Sequence, residues 1–138
     1  MPEYLFSYGT LQPGLAPAEI EPIVQKFRYL GKAYIYGLLY DFGDYPGVLL
    51  GQTKSKVWGR ILEIPADPDL LRRLDEYEEF DPSNIESSQF VRKKYVATLE
   101  DGKTMEVWIY VYNQDVRSAS IIESGDFVRH RARKLTKS

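Results

Sequence analysis

The sequence predicts an α+β fold: a small, strongly bent β-sheet that can close into a barrel, with helices packed outside it. Three observations support this fold class. Segments rich in β-branched and aromatic residues outnumber helical ones, the last two of them carry a hairpin signature, and four glycines fall where a sheet would bend. These glycines are Gly37, Gly47, Gly51 and Gly59.

The N-terminal segment predicts a buried strand, a loop and a short helix. Residues Tyr4 to Tyr8 are mostly aromatic or apolar and stop at Gly9, from which a loop runs to Gly14. Around residues 17–27, apolar side chains recur at spacings of three and four, which is typical of an amphipathic helix. They are Ala16, Ile20, Ile23, Val24 and Phe27.

The next two strands are predicted on either side of a turn. Leu30 to Tyr40 is rich in aromatic and β-branched residues and contains two glycines, which favours a strand with a bulge or bend. Residues 41–47 combine Asp, Gly and Pro in a pattern typical of turns. Val48 to Leu50 then resumes an apolar, extended segment.

A strand followed by a helix is predicted at the centre of the chain. Val57 to Ile64 has the alternation of a strand, which Pro65 ends. Asp67 is suited to cap the helix that follows, because its carboxylate can accept hydrogen bonds from the first turn, and Pro68 suits the first helical position. The expected buried face consists of Leu70, Leu71, Leu74 and Tyr77.

The C-terminal third predicts a hairpin and then a basic tail. Phe90 to Leu99 and Thr104 to Tyr112 are β-rich runs joined by four residues that include the dipeptide Asp101-Gly102. Residues 118–133 are compatible with one or two helical turns. We predict a single domain over residues 1–128 and a partly ordered basic tail over residues 129–138.

Composition excludes several classes of function. The 138 residues contain no cysteine and one histidine, which excludes disulfide scaffolds and Cys-ligated metals and disfavours other metal or triad schemes. The net charge of −2 creates no global field for nucleic acid or a membrane surface, so neither partner is expected. No apolar run approaches the roughly 20 residues of a membrane span, and no signal-peptide pattern opens the chain, so we expect a cytoplasmic protein.

Two segments could carry chemistry. Tyr8-Gly9-Thr10-Leu11 lies where a buried strand ends, so its N–H groups can bind a carboxylate or oxyanion, although many such segments only form a turn. The acidic stretch from Asp75 to Glu79 lies at the unfavourable, negative end of the predicted helix. Within it Glu78 can point into a cavity and act as a general acid/base, or the stretch can be a solvated acidic cluster.

Aromatic and basic residues in the strands are further candidates for a pocket. Arg92 can steady a carboxylate, and tyrosines on a bent sheet can line a cavity, although both residue types also occur in cores and at rims. Trp58 and Trp108 are expected in the core, and no catalytic role is expected for His130, which lies in the basic tail. The tyrosines are Tyr34, Tyr36, Tyr40, Tyr45, Tyr110 and Tyr112.

The order of several segments resembles the γ-glutamylcyclotransferase / AIG2-like family. The resemblance extends over nearly the whole chain, and its Tyr-Gly-Thr-Leu and Leu-Asp-x-x-Glu blocks are specific only in combination. The segments are FSYGTLQPG at 6–14, LLYDFGDYPGVL at 38–49, VWGRILEI at 57–64, LDEYEEF at 74–80, FVRKKYVATL at 90–99 and SGDF at 124–127.

The resemblance implies a small mixed β-barrel with peripheral helices and a cavity that the Tyr-Gly-Thr-Leu loop closes. It also implies that Glu78 transfers protons and that backbone groups of this loop hold the substrate. Tyr45, Arg92 and Tyr110 are expected as further pocket residues. The loop residues are Tyr8, Gly9, Thr10 and Leu11.

The implied reaction converts a γ-glutamyl amide to 5-oxoproline and a free amine or amino acid. Because the attacking amine is tethered to the carbonyl, this cyclisation needs no metal, cofactor or protein nucleophile. The chain departs from many relatives in having Phe90 in place of Tyr in a Tyr-x-Arg motif, and Glu79 where glycine often follows the catalytic Glu.

Two other classes of function remain open at the level of the sequence. The same cavity can serve a non-catalytic module that binds a small carboxylate, an amide or a peptide, because fold and motif do not guarantee activity. Nucleic-acid binding through the basic tail is disfavoured by the acidic overall charge. The oligomeric state and the leaving amine are not determined by the sequence.

Overall fold

The structure, a computed structural model, describes residues 3–12, 15–51 and 53–136, which include seven strands and three helices. The last residues of the predicted Gly9–Gly14 loop and the end of the predicted tail lie outside the described residues. The elements are β1 Glu3–Ser7, α1 Glu21–Val24, β2 Arg28–Asp41, β3 Pro46–Leu50, β4 Lys56–Ile64, α2 Pro68–Tyr77, a 3₁₀ turn Ile85–Ser87, β5 Phe90–Leu99, β6 Thr104–Tyr112, β7 Ser120–Ile121 and α3 Phe127–Thr136.

Five strands close a mixed barrel in the order β2, β4, β1, β6, β5 and back to β2. The β1–β6 pair is parallel and the other four pairs are antiparallel. The 14-residue strand β2 continues beyond the barrel, where its last residues pair with β3 and β7. The predicted α+β fold with a strongly bent sheet closed into a small mixed barrel is therefore confirmed.

The bend of β4 against β1 requires a glycine. A Cβ atom at Gly59 would lie 2.5 Å from the backbone oxygen of Ser7, so any side chain there would push the two strands apart. Gly59 is one of the four glycines at which the sequence predicts bending.

Two apolar clusters hold helices and barrel together. One fills the barrel with inward-facing side chains such as Phe6, Ile35, Val57, Ile61 and Ile109. The other lies outside the barrel, where α1 and α2 cover Leu5, Leu62 and Ile64. Strand β1 is thus buried on both faces, as its almost continuous apolar sequence predicts.

The helix predicted around residues 17–27 is shorter than its periodicity suggests. Only Glu21–Val24 are α-helical, with turns before and after, although Ile20, Ile23 and Phe27 are buried as predicted. The segment between Pro17 and the start of β2 at Arg28 contains a second proline, Pro22, and prolines leave too few backbone donors for a longer helix.

The predictions for α2 and the hairpin are confirmed. Asp67 caps α2 by accepting a hydrogen bond from the N–H of Asp69 at 3.0 Å, and Pro68 is the first helical residue. Of the expected buried face, Leu70 and Leu74 are buried, whereas Leu71 and Tyr77 are half-buried against the same apolar cluster. The hairpin strands have the predicted bounds, and Gly102 adopts φ 89°, which glycine tolerates best.

The two tryptophans are not in the core, contrary to the prediction. Trp58 and Trp108 alternate with the inward-facing Val57 and Val107 along their strands, so both point outward and are half-buried. Each indole ring lies beneath cationic side chains.

The C-terminal segment forms a helix that crosses the predicted domain boundary at residue 128. Helix α3 runs over Phe127–Thr136, and Phe127 is buried in the barrel cluster. On this helix, Nε2 of His130 lies 2.8 Å from Oδ2 of Asp41. His130 therefore has an acidic neighbour that is 89 positions away in sequence.

Candidate active site

A cavity of about 190 Å³ opens where three chain segments meet beside the barrel. These segments are the loop after β1, the turn before β3 and the C-terminal end of α2. The lining residues are mostly apolar or aromatic, with a single carboxylate among those described. They are Leu5, Phe6, Ser7, Tyr8, Gly9, Thr10, Leu11, Tyr45, Pro46, Tyr77, Glu78, Gln89, Phe90 and Tyr110.

The loop after β1 presents unused backbone donors at this cavity. Among the described residues, no group accepts a hydrogen bond from the N–H of Gly9, Thr10 or Leu11. Buried N–H groups are nearly always paired in folded proteins, so three consecutive unpaired donors beside a cavity are suited to ligand oxygens.

Two neighbours fix the path of this loop. A Cβ atom at Gly9 would lie 2.9 Å from Cγ of Pro46, so only glycine allows the loop to approach the turn before β3 so closely. From inside the loop, the side-chain amide of Gln12 donates a hydrogen bond to the backbone oxygen of Gly9 at 2.8 Å. Gln12 is only 1% exposed, which makes it an internal brace of the loop.

Glu78 reaches the cavity because it ends α2. It is the C-terminal cap of the helix, and its N–H donates to the backbone oxygen of Leu74 at 2.9 Å. The next residue, Glu79, has φ 55°, and the N–H groups of Glu79 and Phe80 donate to the backbone oxygens of Glu76 and Asp75, which is the pattern of a Schellman motif. The helix thus stops with Glu78 beside the loop.

The surroundings of Glu78 favour its neutral form. Burial beside apolar side chains raises the pKa of its carboxyl to about 7, and the negative charge of Glu79 adds to this shift. Among the described residues, none donates a hydrogen bond to the carboxylate. A carboxyl group with this pKa can both accept and return a proton near neutral pH.

Two tyrosines connect the loop to a buried ion pair. The Tyr8 hydroxyl donates to the backbone oxygen of Tyr110 at 2.6 Å, and the Tyr110 hydroxyl donates to Oδ1 of Asp75 at 2.7 Å. Asp75 also accepts hydrogen bonds from Nε and Nη2 of Arg92, at 2.7 and 3.1 Å. Burial raises the pKa of both phenols well above the ordinary range, so they stay neutral donors.

The wall opposite Glu78 combines a polar pair with an aromatic ring. The side-chain amide of Gln89 donates to the Tyr45 hydroxyl at 2.7 Å, and the ring of Phe90 lies 6.1 Å from that of Tyr45. Phe90 brings no hydroxyl to the cavity, so the phenol on this wall belongs to Tyr45.

The structure brings most of the predicted site residues together. Glu78, Tyr45, Tyr110 and the four residues from Tyr8 to Leu11 all line the cavity. Arg92 does not line it: its guanidinium lies behind Asp75 and stacks on Trp108 at 4.2 Å. Arg92 therefore reaches the cavity only through Asp75 and Tyr110.

Several residues of the site were not among the predicted site residues, and four of them stand out because they add polar or aromatic groups or brace the loop. Tyr77, Gln89 and Phe90 line the cavity, and Gln12 braces the loop. No local sequence pattern indicates Gln12 or Gln89, because the hydrogen-bond partner of Gln12 depends on how the loop turns and that of Gln89 lies 44 positions away in the same chain. The sequence predicts Tyr77 on the buried face of a helix and Phe90 in a strand. Both residues occupy these positions and also line the cavity.

The described residues contain neither a metal-binding cluster nor a membrane-spanning helix. No group of three or more His, Asp or Glu side chains among them is arranged to hold a metal ion. In the same part of the chain, no helix has the length and apolar character needed to cross a membrane.

Comparisons with known proteins identify the family of this chain. Residues 5–129 match the family described as gamma-glutamyl cyclotransferase, AIG2-like. A protein of Methanocaldococcus jannaschii, whose given name proposes a gamma-glutamylcyclotransferase, is 28% identical over 94% of this chain and 98% of its own.

Solved structures share the fold. An uncharacterised protein of Pyrococcus horikoshii superposes with a TM-score of 0.65 at 20% identity, over 97% of both chains. An AIG2-like protein from mouse superposes with a TM-score of 0.64 at 20% identity, over 85% of this chain and 81% of its own. The match over residues 5–129 shows that the chain belongs to the gamma-glutamyl cyclotransferase, AIG2-like family.

Proposed function

We propose that this protein is a γ-glutamylcyclotransferase that converts a γ-glutamyl amide to 5-oxoproline and a free amine, with Glu78 as general acid/base. The observation that carries the proposal is the position of the Glu78 carboxyl. It has a pKa of about 7 in the same cavity as the unpaired N–H groups of the loop after β1. The family membership and the name of the archaeal relative support the same reaction class.

The steps follow from this arrangement. Ionised Glu78 takes a proton from the substrate's α-ammonium group, and the neutral amine attacks the γ-carbonyl carbon. The loop N–H groups stabilise the oxyanion of the tetrahedral intermediate. As the bond to the departing nitrogen breaks, Glu78 returns a proton to that nitrogen. The ring nitrogen loses two protons in total, and the leaving amine, which departs as an ammonium ion, gains two.

The apolar lining of the cavity positions the substrate for this reaction. Rings such as those of Tyr45, Tyr77 and Phe90 restrict the substrate to conformers in which its amine can reach its own carbonyl. Intramolecular attack then needs only a correct conformer and a proton carrier.

The test is release of 5-oxoproline from a panel of γ-glutamyl amino acids and γ-glutamyl amines. We expect the wild type to release 5-oxoproline from at least one of them and Glu78→Gln to lose at least about 100-fold in rate, the scale of a missing general acid/base. Glu76→Gln, on the exposed side of α2, is the matched control and should keep its activity. Equal turnover by Glu78→Gln and wild type would overturn the role of Glu78.

A stability measurement separates loss of chemistry from loss of fold. The pKa of Glu78 in the folded protein lies above its ordinary value of 4.5, so ionisation destabilises the folded state as pH rises from about 4.5 to about 7. Replacing the carboxylate with an amide removes this cost, which is about 3 kcal/mol for such a shift. Glu78→Gln should therefore be more stable than wild type at pH 8 and equally stable at pH 4.

If no substrate is turned over by stable wild-type protein, a binding module becomes the better description.

A further inference from the structure

The outer face of strands β2 and β4 carries an unusual pairing of cationic and aromatic side chains. Three cross-strand pairs face outward: Lys32 with Arg60, Tyr34 with Trp58 and Tyr36 with Lys56. Successive pairs are two residues, or about 7 Å, apart along the strands. We call these six residues the basic aromatic face.

The aromatic rings of this face form a continuous surface. Tyr34 lies edge-on to Trp58, with ring centroids 5.1 Å apart, and to Tyr36 at 5.6 Å. Lys56 lies over the Tyr34 ring and Lys32 over the Trp58 ring, at 4.3 and 5.1 Å from the centroids. Tyr36 is 42% exposed. Rings that lie under mobile lysine side chains can be uncovered when those amines bind an anion.

The cations of this face are not neutralised by the protein. Among the described residues, no carboxylate oxygen lies within 4.0 Å of the charged nitrogens of Lys32, Lys56 or Arg60. By contrast, Arg28 on the same strand β2 forms a salt bridge with Glu63 at 3.0 Å. The positive charge of the face is therefore available to an external anion.

Helix α3 adds a wall to one end of the face. A groove of about 300 Å³ runs between this helix and the two strands, lined by Lys32, Trp58, Arg60 and Arg129. Asp126 also lines it, but its Oδ1 accepts a hydrogen bond from the N–H of Arg129 at the start of α3. The groove thus contains three cations and one carboxylate that is engaged with the helix.

We propose that the basic aromatic face and its groove bind a short stretch of single-stranded nucleic acid. Phosphates would bind the cations while bases stack on the rings, a combination typical of single-strand binding surfaces. Next to the face, the Tyr29 ring lies under Arg60, so exposed aromatic and cationic groups extend from Tyr29 to Tyr36, about 23 Å along the strand. They present a row of contacts rather than one small-anion pocket. The net charge of −2 argues against nucleic-acid binding, but it is a total for the whole chain. The cations of the basic aromatic face lie together on two neighbouring strands, so the local charge there is positive.

The test uses a fluorescein-labelled oligothymidylate of ten residues and fluorescence anisotropy. The face and groove together offer four cations, namely Lys32, Lys56, Arg60 and Arg129. With all four in contact with phosphates, raising the salt from 50 to 200 mM should weaken binding about 50-fold, given a slope of about 0.7 per phosphate for single strands. Lys32→Ala/Arg60→Ala should bind at least about tenfold more weakly and show only about a sevenfold loss over the same salt range.

A matched control separates local from global charge. Lys93→Ala/Arg117→Ala also removes one lysine and one arginine charge, but from exposed positions outside the face, and should bind as wild type does. Equal weakening in both double variants would overturn the proposal, as would binding that does not depend on salt.

Trp58 supplies a second readout that is independent of enzymatic activity. The chain has two tryptophans, so Trp108→Phe leaves Trp58 as the sole indole reporter. Oligothymidylate should quench its emission as bases stack, with the same midpoint as the anisotropy titration. Anisotropy binding without quenching would place the ligand elsewhere and contradict the proposal. Should Trp108→Phe unfold, Trp58→Ala in the wild-type chain tests the same point by weakening binding about tenfold.

Discussion

At the scale of single residues, the chemistry depends on what Glu78 lacks. Its carboxylate receives no hydrogen bond from the described residues and lies among apolar side chains, so its pKa rises to about 7. Asp75, three positions earlier, is buried as well, but it binds Arg92 and Tyr110. Two carboxylates near the end of one helix thus differ in environment, because only Asp75 has hydrogen-bond partners among the described residues.

The first prediction concerns the pH dependence of turnover. In the proposed mechanism the ionised Glu78 carboxylate accepts the first proton, so kcat/KM should rise with pH through a limb near pH 7. Removing the negative charge of Glu79 makes Glu78 easier to ionise, so Glu79→Gln should move this limb to lower pH. The profile of 5-oxoproline release measures both. A limb near pH 4.5, or a shift to higher pH in Glu79→Gln, contradicts the assignment.

The second prediction concerns Gln12, whose amide holds the backbone oxygen of Gly9. Gln12→Leu leaves this oxygen unpaired and the loop less constrained, so kcat should fall about 10- to 100-fold. The free energy of unfolding should fall by about 1 kcal/mol, the scale of one buried hydrogen bond. Urea denaturation and steady-state kinetics measure the two effects. Unchanged kcat would mean that the loop holds its shape without the amide.

At the scale of elements, the C-terminal end of α2 places Glu78 at the cavity, at the cost of backbone strain at Glu79. The Schellman motif requires a left-handed residue at position 79, and the chain places glutamate there with φ 55°. Glycine would adopt this conformation without strain, whereas any residue with a Cβ is disfavoured. Glu79 retains a charge that acts on Glu78, which glycine would not provide.

The third prediction isolates this backbone effect. Glu79→Gly should raise the free energy of unfolding by about 0.5 to 1 kcal/mol relative to Glu79→Ala. Both variants lose the same charge, so only the Cβ atom distinguishes them. Chemical denaturation at one pH gives the difference. If the alanine variant proves as stable as the glycine variant, φ 55° carries no strain here.

At the scale of the whole molecule, the Asp75–Arg92 pair joins helix α2 to the barrel. Arg92 lies on β5, and the Tyr110 hydroxyl from β6 binds the same carboxylate, so one buried group connects three elements. Next to it, Tyr110 lines the cavity and holds Tyr8 through its backbone oxygen. The contacts that fix the helix on the barrel therefore also fix the wall of the cavity.

The fourth prediction tests this connection by a double-mutant cycle. Arg92→Met leaves the Asp75 carboxylate buried without its cation and should lower the free energy of unfolding by about 3 kcal/mol. Adding Asp75→Asn removes that unpaired charge and should restore part of the loss. Additive losses in urea denaturation would show that the two side chains do not act as a pair.

Particular residues show how far the sequence reasoning extended. Local chemistry predicted the Asp67 cap, the Pro68 start and the hairpin turn at Gly102, because each depends on neighbours a few positions away. The segments that line the cavity were also identified, through spacing and family resemblance, and the catalytic role of Glu78 stays a prediction. The prediction that Trp58 and Trp108 lie in the core was wrong, since strand propensity does not show which face of a strand is covered.

The sequence by itself determined the fold class, most strand bounds and the family, since patterns of apolar residues, turns and motifs are local properties of the chain. Only the tertiary structure decided which polar groups have partners. Gln12 meets Gly9 inside a loop, Asp75 meets an arginine 17 positions away, and Asp41 meets a histidine 89 positions away. Barrel closure creates such contacts, and they place Glu78 in a cavity with no hydrogen-bond partner in the described part of the chain, while the cations of β2 and β4 face outward.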